Sequence, residues 1–404
     1  MSKAKFFIYR VKDEKGRDLY GVMEGLNKKD VQMAVSKTKY YFVSATPITK
    51  KSLFAKKVNF QTLIMFTHRL TSLIEAGVPI LTGMDILWRQ SENRNIQIIV
   101  SYIKKQLEEG NRISSSMDAF PHCFPLVYRA LIKVGELGGA LVPVLKKLSE
   151  YLDYQAAMIA RTKKALLYPS IVLVVAFLVV LFMFFFVVPR FAVILERLKV
   201  DLPAITQMVM AFSDFVRSPW FFVLLGLFVS GIFAYFKYFR KQSSIAYTVD
   251  AVAIKIPYFG KLMMTMALSQ FVRSLSILLG SGVSVLESIK VATTTAGNAK
   301  IEESLTKVRV DLERGSSMYE SFQNVQYFPI LLTEMVGIGE TSGTIVPVLG
   351  KLTHHFDQEV DYELNRFLTI LEPVLIVLVG GIVLVTMASI YMPIASIWQG
   401  LATR

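Results

Sequence analysis

The chain has 404 residues, 53% of them hydrophobic and only 19% charged, with a formal net charge of +14. That balance is too apolar for an ordinary soluble protein of this size and fits a membrane protein with soluble domains. One cysteine, Cys123, excludes an internal disulfide and any multi-cysteine metal site.

The first residues, MSKAKFFIYRVKDEKG, lack the apolar stretch of a signal peptide, so the chain is expected to begin in the cytoplasm. Two strand-like runs, AKFFIYRV and DLYGVMEG, flank a turn segment from Lys12 to Gly16, and Asn27-Lys-Lys-Asp30 starts a helix. YYFVSATPI is a further strand, and residues 49–59 read as a basic linker. The first 65 residues hold 14 Lys+Arg against 5 Asp+Glu, a surplus that a cytoplasmic segment beside an anionic leaflet explains without nucleic acid as a partner.

From Asn59 the apolar period becomes helical, and the stretch from Phe66 to Pro189 largely recurs from Phe271 to Pro393. Phe66, Leu70, Leu73, Gly77, Val78 and Leu81 return 205 positions later as Phe271, Leu275, Leu278, Gly282, Val283 and Leu286, and Gly110 returns as Gly315. After a one-residue deletion the shift is 204, and Gly135-Glu136, Gly139, Pro143 and Pro169 return as Gly339-Glu340, Gly343, Pro347 and Pro373. Each copy reads as about six antiparallel helices ending in an apolar run. Pro79 restarts a helix in copy 1; in copy 2 the same start is expected from a capping box, Ser284-Val-Leu-Glu287.

Three runs are long and apolar enough to span a bilayer, and none has a charge in its interior. Residues 1–165 hold 27 Lys+Arg and 14 Asp+Glu, Lys237, Arg240 and Lys241 follow the second run, and the loop between the first two runs has four basic and three acidic residues. Positive-inside logic puts both bundles in the cytoplasm and the C-terminus outside. Because both copies run from bundle to outward span, one unduplicated span must return the chain. The expected architecture is a mainly α membrane protein with two duplicated cytoplasmic six-helix bundles, three transmembrane helices and a small N-terminal α/β module. Its expected parts are a module and linker at 1–58, a first bundle at 59–164, spans at 165–188, 218–236 and 370–395, a periplasmic loop at 189–217, a second bundle at 237–369 and a periplasmic tail at 396–404.

No Gly-x-x-x-x-Gly-Lys-Ser/Thr phosphate loop occurs, and Gly337-Ile-Gly339-Glu-Thr-Ser-Gly343 has the wrong spacing for a dinucleotide loop. Its glycines suit an interhelical turn, through positive φ and close helix approach. His354-His355-Phe-Asp357-Gln-Glu359-Val-Asp361 is the one stretch with ligand chemistry; His355 and Glu359 stand one helical turn apart, but copy 1 has Tyr151 and Gln155 there, and a solvated helix face is the plainer account. No catalytic constellation, metal site or cofactor is expected. Structural or partner-contact roles are expected at Gly77, Gly135, Glu136, Gly139, Pro169, Gly282, Gly339, Glu340, Gly343 and Pro373, with helix capping as the blander reading of the two glutamates.

These features resemble the GspF/PilC family, the polytopic inner-membrane platform proteins of type II secretion and type IV pilus assembly. The resemblance rests on the small N-terminal module, the two Gly-Val/Gly-Glu bundles, the Lys164 to Pro169 run into the first span with Pro189 at its end, Leu202-Pro203, and the final span from Glu372-Pro373 to Pro393. It implies a non-enzymatic hub that couples a cytoplasmic assembly ATPase to pilin or pseudopilin subunits, with other inner-membrane assembly proteins and further copies of itself as partners. A transporter or channel subunit is the alternative, disfavoured by parallel repeats and uncharged spans.

Overall fold

The computed structural model describes residues 5–197, 204–237 and 243–402. Asp201, Leu202-Pro203, Arg240, Lys241 and Arg404 lie outside the described residues.

Strands β1 (Lys5–Lys12), β2 (Asp18–Gly25) and β3 (Tyr41–Ile48) form an antiparallel sheet in the order β2-β1-β3, with helix α1 (Lys28–Ser36) between β2 and β3 in sequence. Asn27 caps α1 and Asp30 closes the capping box. The expected linker is instead folded: α2 (Lys50–Phe54) buries Leu53 completely and sets Phe54 edge-to-face with Phe6, Tyr102 and Phe120. A basic composition says nothing of one apolar pair in its midst, and Leu53-Phe54 is that pair.

The first repeat follows as α3 (Phe60–Glu75), α4 (Ile80–Gln90), α5 (Arg94–Glu108), α6 (Ile113–Asp118), α7 (Leu126–Leu137) and α8 (Leu141–Phe182). A π-helical turn (Met183–Val187), α9 (Val188–Arg197), α10 (Ala204–Arg217), α11 (Pro219–Lys237) and α12 (Ser243–Lys255) come next. The second repeat is α13 (Phe259–Gly280), α14 (Val285–Thr293), α15 (Ala299–Glu313), α16 (Met318–Gln323), α17 (Ile330–Thr341) and α18 (Ile345–Ala402), six helices again.

The chain divides into two compact units. The first comprises Met1–Ile159, Ala267–Gly297 and Ile301–Phe356. Within it the sheet's edge strand β2 is closed by side chains rather than by another strand. Gln97 and Ser101 of α5 accept from the Tyr20 and Val22 amides at 3.1 and 3.2 Å, and the Trp88 indole donates to the Tyr20 carbonyl at 2.7 Å. These bonds occupy the middle of an edge that would otherwise be open to a foreign strand.

Three helix ends in each copy stop in the same way. Gly77, Gly110 and Gly139, and their counterparts Gly282, Gly315 and Gly343, all have φ between +65° and +94°. After each, the next amide bonds back five residues, as Val78 does to Leu73 and Val283 to Leu278, which is the Schellman closure. Gly135 and Gly339 do a different job inside α7 and α17. A Cβ there would lie 3.0 Å from Val144 Cβ or from the Ile345 backbone, so these two glycines permit close helix approach.

The capping box expected at Ser284-Glu287 does not form. Ser284 makes no side-chain cap bond, and Glu287 turns to Lys290 at 3.1 Å instead. A true box stands at Ser317-Met-Tyr-Glu320, at the start of α16.

The second unit comprises Ala160–Met266, Asn298–Lys300 and Asp357–Arg404. In the segment expected as the periplasmic loop at 189–217, the described residues 189–197 and 204–217 are helical, and Phe184, Val188, Val209 and Val216 bury one another there. Ser213 donates to the Phe184 carbonyl at 2.7 Å, satisfying a group at the π-helical turn. By length and composition, Leu141–Ile194, Phe259–Gly280 and Ile345–Ser389 could cross a membrane; Thr206–Arg217 and Pro219–Gly231 pass only as a pair, bent by 70° at Ser218. The middle helix of the three is thus not the expected run at 218–236. The apolar window within Phe259–Gly280 is 56% buried inside the protein, against 17% and 6% for the other two, which is the mark of a bundle helix.

Valine at Gly282 must adopt a left-handed conformation, which costs at least ~1 kcal/mol. Gly282→Val should lower the thermal midpoint of the purified protein, with Gly282→Asn closer to wild type; equal melting of all three would refute the assignment.

Candidate interaction site at the Gly-Glu turns and the paired repeats

Helices α6 and α16, like any α-helix, leave their first amides without an acceptor of their own. The glutamates singled out in the sequence supply the acceptors. Glu136 takes the Ile113 amide at 2.7 Å, and the Ser114 amide and hydroxyl at 3.2 and 2.5 Å. In copy 2 Glu340 takes the Met318 and Tyr319 amides at 2.8 and 3.0 Å. Both carboxylates therefore work inside their own bundles as caps, and a negative charge at a helix N-terminus is favourable in itself. Gly135 and Gly339, one residue earlier, let the sixth helix come close, and Gly139 and Gly343 turn the chain into it.

The two copies also touch each other. Lys147 of α8 donates to the Gly280 carbonyl at the end of α13. Tyr151 and Ser274 hydroxyls lie 3.3 Å apart, those of Tyr154 and Ser269 3.5 Å, and the Arg273 guanidinium sits 3.2 Å from the centre of the Tyr154 ring. Val134 of α7 faces Gly282 just before α14. Burial raises the Tyr151 hydroxyl above the usual tyrosine range, with Ser274 partly offsetting it.

The remaining singled-out residues are placed as follows. Pro169 lies within α8 and lines a cavity of about 480 Å³ with Ala165, Tyr168, Thr369 and Glu372. Pro373 is exposed on α18. His355 is exposed and Glu359 half-buried, and among the described residues no three His, Cys, Asp or Glu side chains gather as metal ligands would. Cys123 is buried, and desolvation pushes its thiol up to about 12.

One pair escaped the sequence reading. Glu363 is 1% exposed, yet carries an ion pair to Lys261 at 2.6 Å, with Arg366 at 3.9 Å. Close by, Tyr258 adopts φ +63°, the one non-glycine residue with positive φ among those described, and Arg366 lies 5.1 Å from its ring centre. The signal was present: the repeat places Ile159 of copy 1 where copy 2 has Glu363.

Removing either capping carboxylate leaves amides without acceptors, at a cost of about 1.5–3 kcal/mol for bonds to a charged group. Glu136→Ala and Glu340→Ala should each lower the thermal midpoint, with the glutamine variants intermediate. Melting curves that overlay wild type would show that the caps contribute nothing.

The chain matches the family described as Type II secretion system (T2SS), protein F over residues 66–189 and again over 271–393, which are the two repeats. It is 28% identical to the type IV pilus assembly protein PilC of Myxococcus xanthus over 97% of this chain and 94% of that one. The type IV pilus assembly protein PilC of Thermus thermophilus is 31% identical over 83% and 82% respectively. The type II secretion system protein F of Vibrio cholerae is 26% identical over 96% and 97%. With both repeats matched and relatives aligned over nearly the full length, this chain belongs to the type II secretion system protein F family, which here takes in the PilC pilus assembly proteins.

Proposed function

We propose that the protein is a non-enzymatic inner-membrane platform for type II secretion or type IV pilus biogenesis, coupling a cytoplasmic assembly ATPase to the assembly of pilin or pseudopilin subunits. The observation that carries this is the family match over both repeats, with relatives named for pilus assembly and for type II secretion. The architecture supports it: two bundles joined by side-chain contacts, attached to long apolar helices. A rigid pair of bundles can pass a displacement to membrane helices without chemistry of its own.

In this reading the spans are those expected at 165–188, 218–236 and 370–395, with the bundles and N-terminal module in the cytoplasm. We assign α11 rather than α13 as the return span, because α13 carries Lys261 and Arg273 and is largely covered by the protein itself.

Reporter fusions at Asp201 and at the C-terminus should read periplasmic, and one at Asn298 cytoplasmic. A cytoplasmic signal at Asp201 would sink this topology.

The purified protein should not hydrolyse ATP, since the chain has no phosphate-binding loop, but should change the turnover of its cognate assembly ATPase. Hydrolysis that persists after rigorous removal of contaminating ATPase, or turnover of the cognate ATPase that ignores the platform, would overturn the coupling role.

A further inference from the structure

Helix α10 is built the opposite way round from a surface helix of a soluble protein, which turns its polar side to water and its apolar side inward. Its buried face carries two hydroxyls. Thr206 and Ser213 are almost fully buried; they donate to the Ser389 carbonyl of α18 at 2.9 Å and to the Phe184 carbonyl of the π-helical turn at 2.7 Å. Val209 and Val216 share that face and pack with Phe184 and Val188. Hydroxyls that satisfy the carbonyls of neighbouring helices suit a setting in lipid, where no water is at hand for a backbone group.

The rest of the α10 surface is divided into two stripes. Met208, Phe212 and Phe215 follow the i, i+4, i+7 spacing of one helix face and are 73%, 49% and 42% exposed. Gln207, Asp214 and Arg217, also exposed, recur at i, i+7 and i+10 on another face. With 3.6 residues per turn the two stripes stand roughly 140° apart around the helix. Two such stripes beside one packed face meet two different media, and water suits only one of them.

Depth identifies the other medium. Phe184 stands four residues before the expected outer end of the first span at 188, and Ser389 six before that of the last span at 395, which is about 6 and about 9 Å along a helix. Helices at a membrane interface bury their apolar face by about 5–10 Å. The bend agrees, since a span tilted by the usual ~20° and bent by 70° at Ser218 leaves the helix before the bend in the membrane plane. Trp220, exposed just past the bend, is a residue type enriched at that level. Were α10 and α11 one bent span, Asp214 and Arg217 would stand in hydrocarbon. A row of rings also joins the apolar stripe to the helices on either side: Phe184 lies 5.0 Å from Phe212, Phe215 5.9 Å from Phe221, and Phe222 6.3 Å from Phe185.

We propose that α10 lies in the plane of the outer leaflet, with Met208, Phe212 and Phe215 among the acyl chains and Gln207, Asp214 and Arg217 among the headgroups. The segment between the first two spans then docks on lipid instead of standing free in the periplasm. The proposal rests on the topology given above, which puts this segment on the periplasmic side.

The test uses the full-length protein in proteoliposomes, with Cys123→Ala removing the native thiol. Phe212→Cys and Asp214→Cys, both at exposed positions that leave the buried face of α10 intact, are each tagged with a nitroxide. Collision with oxygen, which concentrates among acyl chains, relative to collision with a water-soluble nickel chelate should be several-fold higher at position 212 than at 214. Met33→Cys, exposed on α1, should resemble position 214. Equal access of the chelate to 212 and 214 overturns the proposal, because the apolar stripe then stands in water. So does a label at 212 screened from both reagents, which marks a protein partner over the stripe. In spheroplasts a membrane-impermeant maleimide should label Asp214→Cys. Absence of that labelling with the contrast retained overturns the topology and with it the choice of leaflet, whereas labelling without the contrast overturns the embedding alone.

Discussion

The first amides of a helix find no acceptor within it, and α6 and α16 each start on a buried residue, Ile113 and Met318. The carboxylates of Glu136 and Glu340 meet this need from the far end of the next helix. In doing so they tie the fourth helix of each bundle to the fifth, and the glycine beside each carboxylate brings the sixth against the fifth. The sixth helix is the one that carries the apolar run. One Gly-Glu dipeptide therefore sets the packing of three consecutive helices, and both copies retain it although their charge and outer surfaces have diverged.

The divergence follows from the contact between the copies, which uses different faces of one fold. Copy 1 buries its α7/α8 face in the chain and leaves α3 open, whereas copy 2 buries α13 and leaves α17 and α18 open. Equivalent positions thus live in different surroundings: Ser274 faces a partner hydroxyl, while Arg69 faces solvent. A small neutral residue fits the first setting and a long charged one the second. The same logic accounts for Tyr151 against His355, without giving the histidine a metal to hold.

Much of the framework was legible because it is written in backbone geometry and repetition. The positive-φ glycines at Gly77 and Gly282 recur at a fixed shift, and left-handed closure of a helix end has few alternatives to glycine. Asn27 with Asp30 was read correctly for the same kind of reason, a short-range cap between neighbours. Competition between side chains was not legible. Ser284-Val-Leu-Glu287 and Ser317-Met-Tyr-Glu320 have the same pattern, but Glu287 has Lys290 one turn on, while Glu320 is followed by Phe322 and Gln323 and closes its box. Gly135 and Gly339 were grouped with the turn glycines, although their constraint is a neighbour three ångströms away that no local pattern encodes.

Glu363 shows where comparing the copies adds information that neither holds alone. A buried carboxylate in place of Ile159 is costly unless paired, and Lys261 supplies the pair from the start of α13. Ile159 is itself 47% exposed, so no core contact is exchanged, and a buried ion pair adds little stability; what the pair does is fix a geometry, since the carboxylate and the ammonium must meet. Tyr258, held at positive φ and approached by Arg366, restricts the same turn, and Gly260 sits there because a Cβ would collide with the Ile254 carbonyl. Strain, a close backbone crossing and a buried charge thus converge on the turn that leads into the second repeat. Each is costly alone, and together they restrict the backbone where α13 begins.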